Sequence, residues 1–281
     1  MSFLQRLQTA QERASSLLCV GLDPDPARMP RHLRTRPSLA EGVLQFNSAI
    51  VEATHAVTSA YKLNVAFYEA LGSDGYAVLT RTLRQIPDEK VVILDAKRGD
   101  IGNSARMYAR ALFDQLEADA CTVSPYMGRD AVAPFLQYED RGVFVLALTS
   151  NPGSQDFQHQ LVSETPLYRR VAEHVARWHE ENSGTAGLVV GATQGEKMDA
   201  VREAAPGLPF LVPGVGAQGG DLDTAVRASA GPRGSDPFLV TSSRSIIYAS
   251  SDQDYGEAAG RAAERLNRSL REAHPSDPFA G

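Results

Sequence analysis

Short runs of β-branched and aliphatic residues recur along the chain. Those at Leu17–Leu22, Ala60–Val65, Val91–Ala96, Ala120–Ser124, Val143–Leu148, Gly187–Gly191, Phe210–Val212 and Phe238–Thr241 read as eight strands. They are close to continuously apolar, as expected of strands covered on both faces. Between them lie patterns with helical periodicity, including Leu39 to Val57, Gly75 to Gln85, Ser104 to Leu116, Pro166 to Glu181 and Asp221 to Ala230. A strand followed by a helix, repeated, implies parallel strands joined by right-handed crossovers. Eight such units predict an α/β fold of the (β/α)8 TIM barrel type, one domain over residues 1–281 with a short disordered tail at Ser276–Gly281. A doubly wound open sheet is the competing architecture. It is disfavoured because the first strand ends Val20-Gly21-Leu22-Asp23-Pro24-Asp25-Pro26, with no G-x-G-x-x-G.

The third strand carries the densest chemistry. Ile93-Leu94-Asp95-Ala96-Lys97-Arg98-Gly99-Asp100-Ile101 runs from apolar to charged within a few residues. Strand alternation puts Asp95 and Lys97 on the face of Val91 and Ile93, so that a carboxylate and an ammonium project together. Asp100 falls on the loop beyond Gly99, free to lean outward. Two opposite charges on an apolar inward face are costly to bury unless they pair, so the pattern calls for a pocket.

Polar residues also close the neighbouring strands: Asp23, then Lys62 and Asn64, then Ser124, then Thr149 and Ser150. In a barrel these ends form one rim, the usual place for an active site. The seventh strand leads into Pro213-Gly214-Val215-Gly216-Ala217-Gln218-Gly219-Gly220, and the eighth into Thr241-Ser242-Ser243-Arg244-Ser245. A glycine-rich turn before a helix start, beside an arginine, suits a phosphate group. The polar loop Ser150 to Gln158 is placed to cover a ligand, and Pro24 to Pro37 reads as an irregular surface segment.

Charge and composition narrow the partners. The net charge of -6 argues against nucleic acid or an anionic membrane surface, so any phosphate must be caught locally. Cys19 and Cys121 lack disulfide or zinc spacing, the histidines show no metal-ligand pattern, and no run is long enough to span a bilayer. The expectations are no metal, no cofactor and a cytoplasmic location.

With Lys62, D-x-K-x-x-D-I at Asp95, Lys97, Asp100 and Ile101, the glycine loop and Arg244 in place, the sequence resembles the orotidine 5'-phosphate decarboxylases, in particular their longer bacterial form, over nearly its whole length. The resemblance implies decarboxylation of orotidine 5'-phosphate to UMP in pyrimidine biosynthesis, with no cofactor. It assigns Lys62, Asp95, Lys97 and Asp100 to an alternating charge array, with Lys97 as proton donor and Asp100 reaching into the partner's site of a homodimer. It further implies that Asp23 holds a ribose hydroxyl, that Ser104 stands near Asp100 and that Ser150 meets the pyrimidine. Pro213, Gln218, Gly219 and Arg244 would surround the phosphate. The segments Pro24 to Pro37 and Gln155 to Gln160 depart from the shorter forms, which leaves their contacts open. Three alternatives stand beside this reading: a magnesium-dependent sugar-phosphate synthase or decarboxylase of the same superfamily, a Schiff-base aldolase using Lys62 or Lys97, and a non-catalytic phosphate-binding barrel.

Overall fold

The computed structural model describes residues 1–215, 222–276 and 278–279. Its ten strands are β1 (Leu18–Gly21), β2 (Ala60–Asn64), β3 (Val91–Arg98), β4 (Ala120–Val123), β5 (Gly142–Leu148), β6 (Leu161–Val162), β7 (Thr165–Pro166), β8 (Thr185–Val190), β9 (Phe210–Pro213) and β10 (Phe238–Ser242). All but β6 and β7 close a parallel barrel in the order β1-β10-β9-β8-β5-β4-β3-β2, and β6 pairs with β7 as a small antiparallel hairpin. The barrel is therefore the TIM barrel expected from the strand and helix alternation. The seventh and eighth expected strands are β9 and β10, because the hairpin intervenes after β5.

The strands are apolar on both faces because each face meets a separate packed layer. Cys19, Ile93, Ala120, Phe144, Val189 and Leu239 fill the barrel interior. Leu18, Leu94, Cys121, Val143, Leu188 and Val240 point outward into the shell beneath the helices. Successive residues of one strand thus serve different layers, the expected result of a period of two.

A polar-looking amino terminus seals one end of the barrel. The helix Phe3–Ala14 starts on Ser2, whose side chain accepts from Gln5 N while the Gln5 side chain accepts from Ser2 N. This reciprocal cap satisfies two N–H groups that the first turn would leave unpaired. Its apolar face, Phe3, Leu7 and Ala10, joins the interior layer, with Phe3 edge-on to Phe144 at 5.9 Å and 82°. A Cβ on Gly142 would lie 2.7 Å from the Phe3 ring, so the helix can seat this closely only over a glycine. Asp119, just before β4, ties the same end together: it accepts from Val92 N at 2.8 Å and pairs with Arg6 Nε at 2.6 Å. The opening for a ligand is left at the carboxyl ends of the strands.

Further helices not marked by the sequence patterns above include Arg129–Leu136, Glu196–Ala204 and Tyr255–Ala273, and the short Arg31–Arg34 lies within the segment expected to be irregular surface, where Met29 and Leu33 are in fact fully buried. Of the expected tail at 276–281, residues 277, 280 and 281 lie outside the described residues, while Phe279 sits 5.9 Å from the Arg271 guanidinium. Among the described residues, no helix is long and apolar enough to cross a membrane.

Candidate active site

A cavity of about 460 Å³ opens where the barrel strands end. Leu146, Val189 and Leu211 give it an apolar floor, which is the top layer of the barrel interior. Charged groups from β1, β2 and β3 make its opposite wall. Parallel register explains their meeting: Lys62 lies across from Ile93 and Asn64 across from Asp95, and Gly21 lies across from Lys62.

Asp95 is the centre of this wall and is gripped on both oxygens. Lys62 Nζ lies 3.0 Å from Oδ2, while Lys97 Nζ at 2.6 Å and the Thr122 hydroxyl at 2.8 Å both donate to Oδ1. Burial by itself would push the Asp95 carboxyl up. The charges of Lys62 and Lys97, with hydrogen bonds from Lys97 and Thr122, outweigh it and hold the group well below the usual carboxylate range. Lys62 is only 5% exposed, and burial opposes its charge. Asp23, 3.6 Å away, and Asp95 overcome that penalty and hold the ammonium above the ordinary lysine range. The pair is therefore ionised at neutral pH in a place where either charge alone would be expelled.

Lys97 reaches the pocket by a route simple alternation does not describe. The pairing of β3 with β4 shifts register between Leu94 and Arg98, and Lys97 takes φ 45°, a left-handed conformation rare for a side-chain-bearing residue. Its backbone N–H donates to the Thr122 hydroxyl at 3.0 Å. Thr122 thus fixes both the bulge and the carboxylate. No sequence pattern above singled it out; the available signal was a lone hydroxyl on the inward face of the otherwise apolar Ala120–Val123. Lys97 keeps 48% of its side chain accessible, so its ammonium faces the cavity instead of being walled in.

Asp23 completes the wall. Its Oδ2 accepts from the Ser243 hydroxyl at 2.7 Å and its Oδ1 from Asn64 N at 3.2 Å. A Cβ on Gly21 would fall 1.7 Å from Ser243 Oγ, so the Ser243 side chain can seat here against β1 only over a glycine. Tyr248, also unremarked in the sequence, donates its hydroxyl to Asp23 O at 3.0 Å and accepts from Asp25 N at 2.5 Å.

Pro213 and Arg244 lie on the cavity wall as expected for the far end of a ligand. Gln218 and Gly219 lie outside the described residues. Asp100, Ser104 and Ser150 do not line the cavity of this chain. Asp100 Oδ1 accepts from Ile101 N at 2.8 Å, and Ser104 is exposed on the helix Gly102–Arg110. Ser150 packs against Gly191, and its buried hydroxyl has no hydrogen-bond partner among the described residues. Its neighbour Thr149 faces the cavity instead, with Gln158 bonded to both its N–H and its hydroxyl at 2.8 Å, which folds the loop over β5 back on itself. Among the described residues, no group of three or more His, Cys, Asp or Glu is arranged to hold a metal ion.

Known proteins resemble this chain in sequence and in barrel fold. The model of the orotidine 5'-phosphate decarboxylase / HUMPS family matches residues 16–259. An orotidine 5'-phosphate decarboxylase of Roseiflexus castenholzii is 49% identical over 275 residues, covering 97% of this chain and 98% of the relative. One from Dehalococcoides mccartyi is 45% identical over 274 residues, covering 96% and 97%. Among solved structures, OMP decarboxylase of Leishmania donovani superposes with a TM-score of 0.82 at 38% identity, covering 98% of this chain and 99% of that one. A crystal structure from Toxoplasma gondii gives a TM-score of 0.88 at 39% identity, covering 96% of each. Matched through nearly its full length in sequence and in barrel geometry, the chain belongs to the orotidine 5'-phosphate decarboxylase / HUMPS family.

Proposed function

We propose that this chain, as a single-domain cytoplasmic enzyme, decarboxylates orotidine 5'-phosphate to UMP without a cofactor. The observation that carries the reading is the ionised carboxylate of Asp95 held between Lys62 and Lys97 against an apolar floor. Loss of carbon dioxide breaks a carbon–carbon bond and leaves its electron pair on a ring carbon with no adjacent sink. Stabilisation then has to come from charge fixed beforehand, and a lysine oriented by its own carboxylate needs no reorganisation when the pair develops. Lys97 gives its proton to that carbon, becomes a neutral amine and recovers a proton from solvent, to which its exposed side chain has access. Asp95, beside the substrate carboxylate, raises the energy of the bound ground state and loses that repulsion as carbon dioxide departs. Asp23 binds a ribose hydroxyl, Lys62 bridges it to Asp95, and the Ser150 hydroxyl, packed against Gly191 with no hydrogen-bond partner among the described residues, meets the pyrimidine once the loop over β5 moves with the bound substrate. Pro213, Gln218, Gly219 and Arg244 enclose the phosphate, whose binding energy closes the loops over the site.

Asp100 and Ser104 act across a homodimer interface in this reading. Support comes from Asp100's place on the loop beyond β3 and from exposed apolar residues on the segments after β3 and β4: Ile101, Met107, Tyr126 and Met127 are 50%, 48%, 82% and 50% exposed. Incubation of the purified protein with orotidine 5'-phosphate, following loss of the orotate absorbance, tests the reaction. Turnover should persist in EDTA. No turnover, or loss in EDTA restored by magnesium, would overturn the reading, the second result in favour of metal-dependent sugar-phosphate chemistry.

A further inference from the structure

A phosphomonoester carries close to two negative charges at neutral pH, and a site for it must answer both. The cavity wall holds four cationic side chains, Arg28, Lys62, Lys97 and Arg244. Lys62 and Lys97 are already matched to Asp95, and Lys62 also to Asp23. In sequence, Gly216-Ala217-Gln218-Gly219-Gly220-Asp221 contains no lysine or arginine and includes one carboxylate. Arg28 and Arg244 are what remains. They belong to the same sector of the cavity mouth, because β1 and β10 are paired neighbours in the barrel, Leu18 opposite Val240.

Arg28 is held in place by the molecule. Its guanidinium lies over the Tyr248 ring, 4.3 Å from the centroid. That ring is fixed in turn by the Tyr248 hydroxyl on Asp23 O and Asp25 N, and it stacks on Phe46 at 5.8 Å and 20°. The turn beneath Arg28 is fixed too: Ala27 N donates to Asp25 Oδ1 at 2.9 Å, Arg28 N donates to Asp25 O at 2.9 Å, and the next residue, Met29, is fully buried. Among the described residues Arg28 makes no ion pair, so a planar cation is presented face-on to an aromatic ring with its N–H edges uncommitted.

We propose that Arg28 is a phosphate ligand: with Arg244 it closes on the dianion from the loops after β1 and β10, which makes the segment from Pro24 to Pro37 part of substrate recognition. The identity of the nucleotide rests on the decarboxylase reading, but the contact does not. Arg28→Ala and Arg28→Lys should be compared with the unaltered protein in two ligand pairs, UMP against uridine and ribose 5-phosphate against ribose, by calorimetry or displacement. Loss of a charge-assisted contact should weaken the phosphorylated member of each pair by about tenfold to a hundredfold, leave the other within about twofold, and be partly restored in Arg28→Lys. Steady-state KM should rise more than kcat falls. Equal losses for both members of a pair, or an unchanged affinity for UMP, would overturn the assignment. If the unaltered protein binds phosphates in an Arg28-dependent way but leaves orotidine 5'-phosphate intact, the decarboxylase reading fails and this one stands. If the unaltered protein turns over orotidine 5'-phosphate while Arg28→Ala binds UMP normally, the decarboxylase reading stands and the phosphate contact at Arg28 is overturned.

Discussion

Thr122 joins the two halves of the charge wall through one hydroxyl, accepting from Lys97 N and donating to Asp95. Thr122→Val preserves the shape but leaves the partly buried Lys97 N–H unpaired and removes one hydrogen bond from the carboxylate. It should cost about 1–3 kcal/mol of stability in urea titrations and lower kcat, while Thr122→Ser, which keeps the hydroxyl, should restore most of both. Asp95 supplies a pH signature. Its folded pKa is depressed, so the unfolded chain takes up the proton first as pH falls. The stabilisation is complete above the ordinary carboxylate pKa of about 4 and is lost as pH drops below it towards the folded value. Asp95→Asn leaves Lys62 short of a partner and should be about 3 kcal/mol less stable than the unaltered protein at pH 7, on the scale of a broken buried pair. Guanidinium titrations repeated between pH 5 and pH 2 should show that gap narrowing; a constant gap would mean that Asp95 is not the group titrating.

At the scale of elements, the barrel is asymmetric by construction. The helix Phe3–Ala14 seals the amino end with Phe3, while the carboxyl end is built from loops that carry the chemistry. Stability and activity should therefore separate. Phe3→Ala opens a cavity in the interior layer and should cost about 3–5 kcal/mol, read as a lower urea midpoint. Its kcat under conditions where it remains folded should be close to that of the unaltered protein, because Phe144 and other apolar side chains of the interior layer separate Phe3 from the charge wall. A matching fall in kcat would show that the bottom of the barrel positions the top. The bulge in β3 works in the opposite sense: it gives up regular pairing with β4 and aims a lysine into the cavity.

For the whole molecule, the question is whether one chain makes a complete site. Asp95 and Lys97 face the cavity of their own chain, whereas Asp100 sits beyond the end of β3 and off the cavity wall. If Asp100 serves a partner, Lys97→Ala and Asp100→Ala subunits should rescue one another. Equal amounts allowed to exchange at random give about half heterodimers, each with one intact site, so roughly a quarter of the unaltered activity should return. No recovery, once exchange is verified by mass spectrometry of the mixed dimer, would place the action of Asp100 within its own chain.

What the amino-acid order determined by itself was the repetition and its polarity. Eight apolar runs separated by helical patterns admit few topologies, and the observed barrel strands begin and end within two residues of those runs, because burial on both faces leaves an unmistakable composition. Lys62, Asp95 and Lys97 were legible because charges on an apolar inward face need partners, and Asp23, Pro213 and Arg244 because they end barrel strands. The tertiary structure alone decided the rest. Thr122, Tyr248 and Arg28 are ordinary residues in sequence and acquire their roles only when β4 is set against β3 and β1 against β10. The left-handed turn at Lys97 follows from a register shift between strands, which is a property of the pair and is written in neither strand alone. The order of the two residues ending β5 shows the same: both Thr149 and Ser150 are polar strand-end residues in sequence, and packing decides that Thr149 lines the cavity while the Ser150 hydroxyl lies against Gly191.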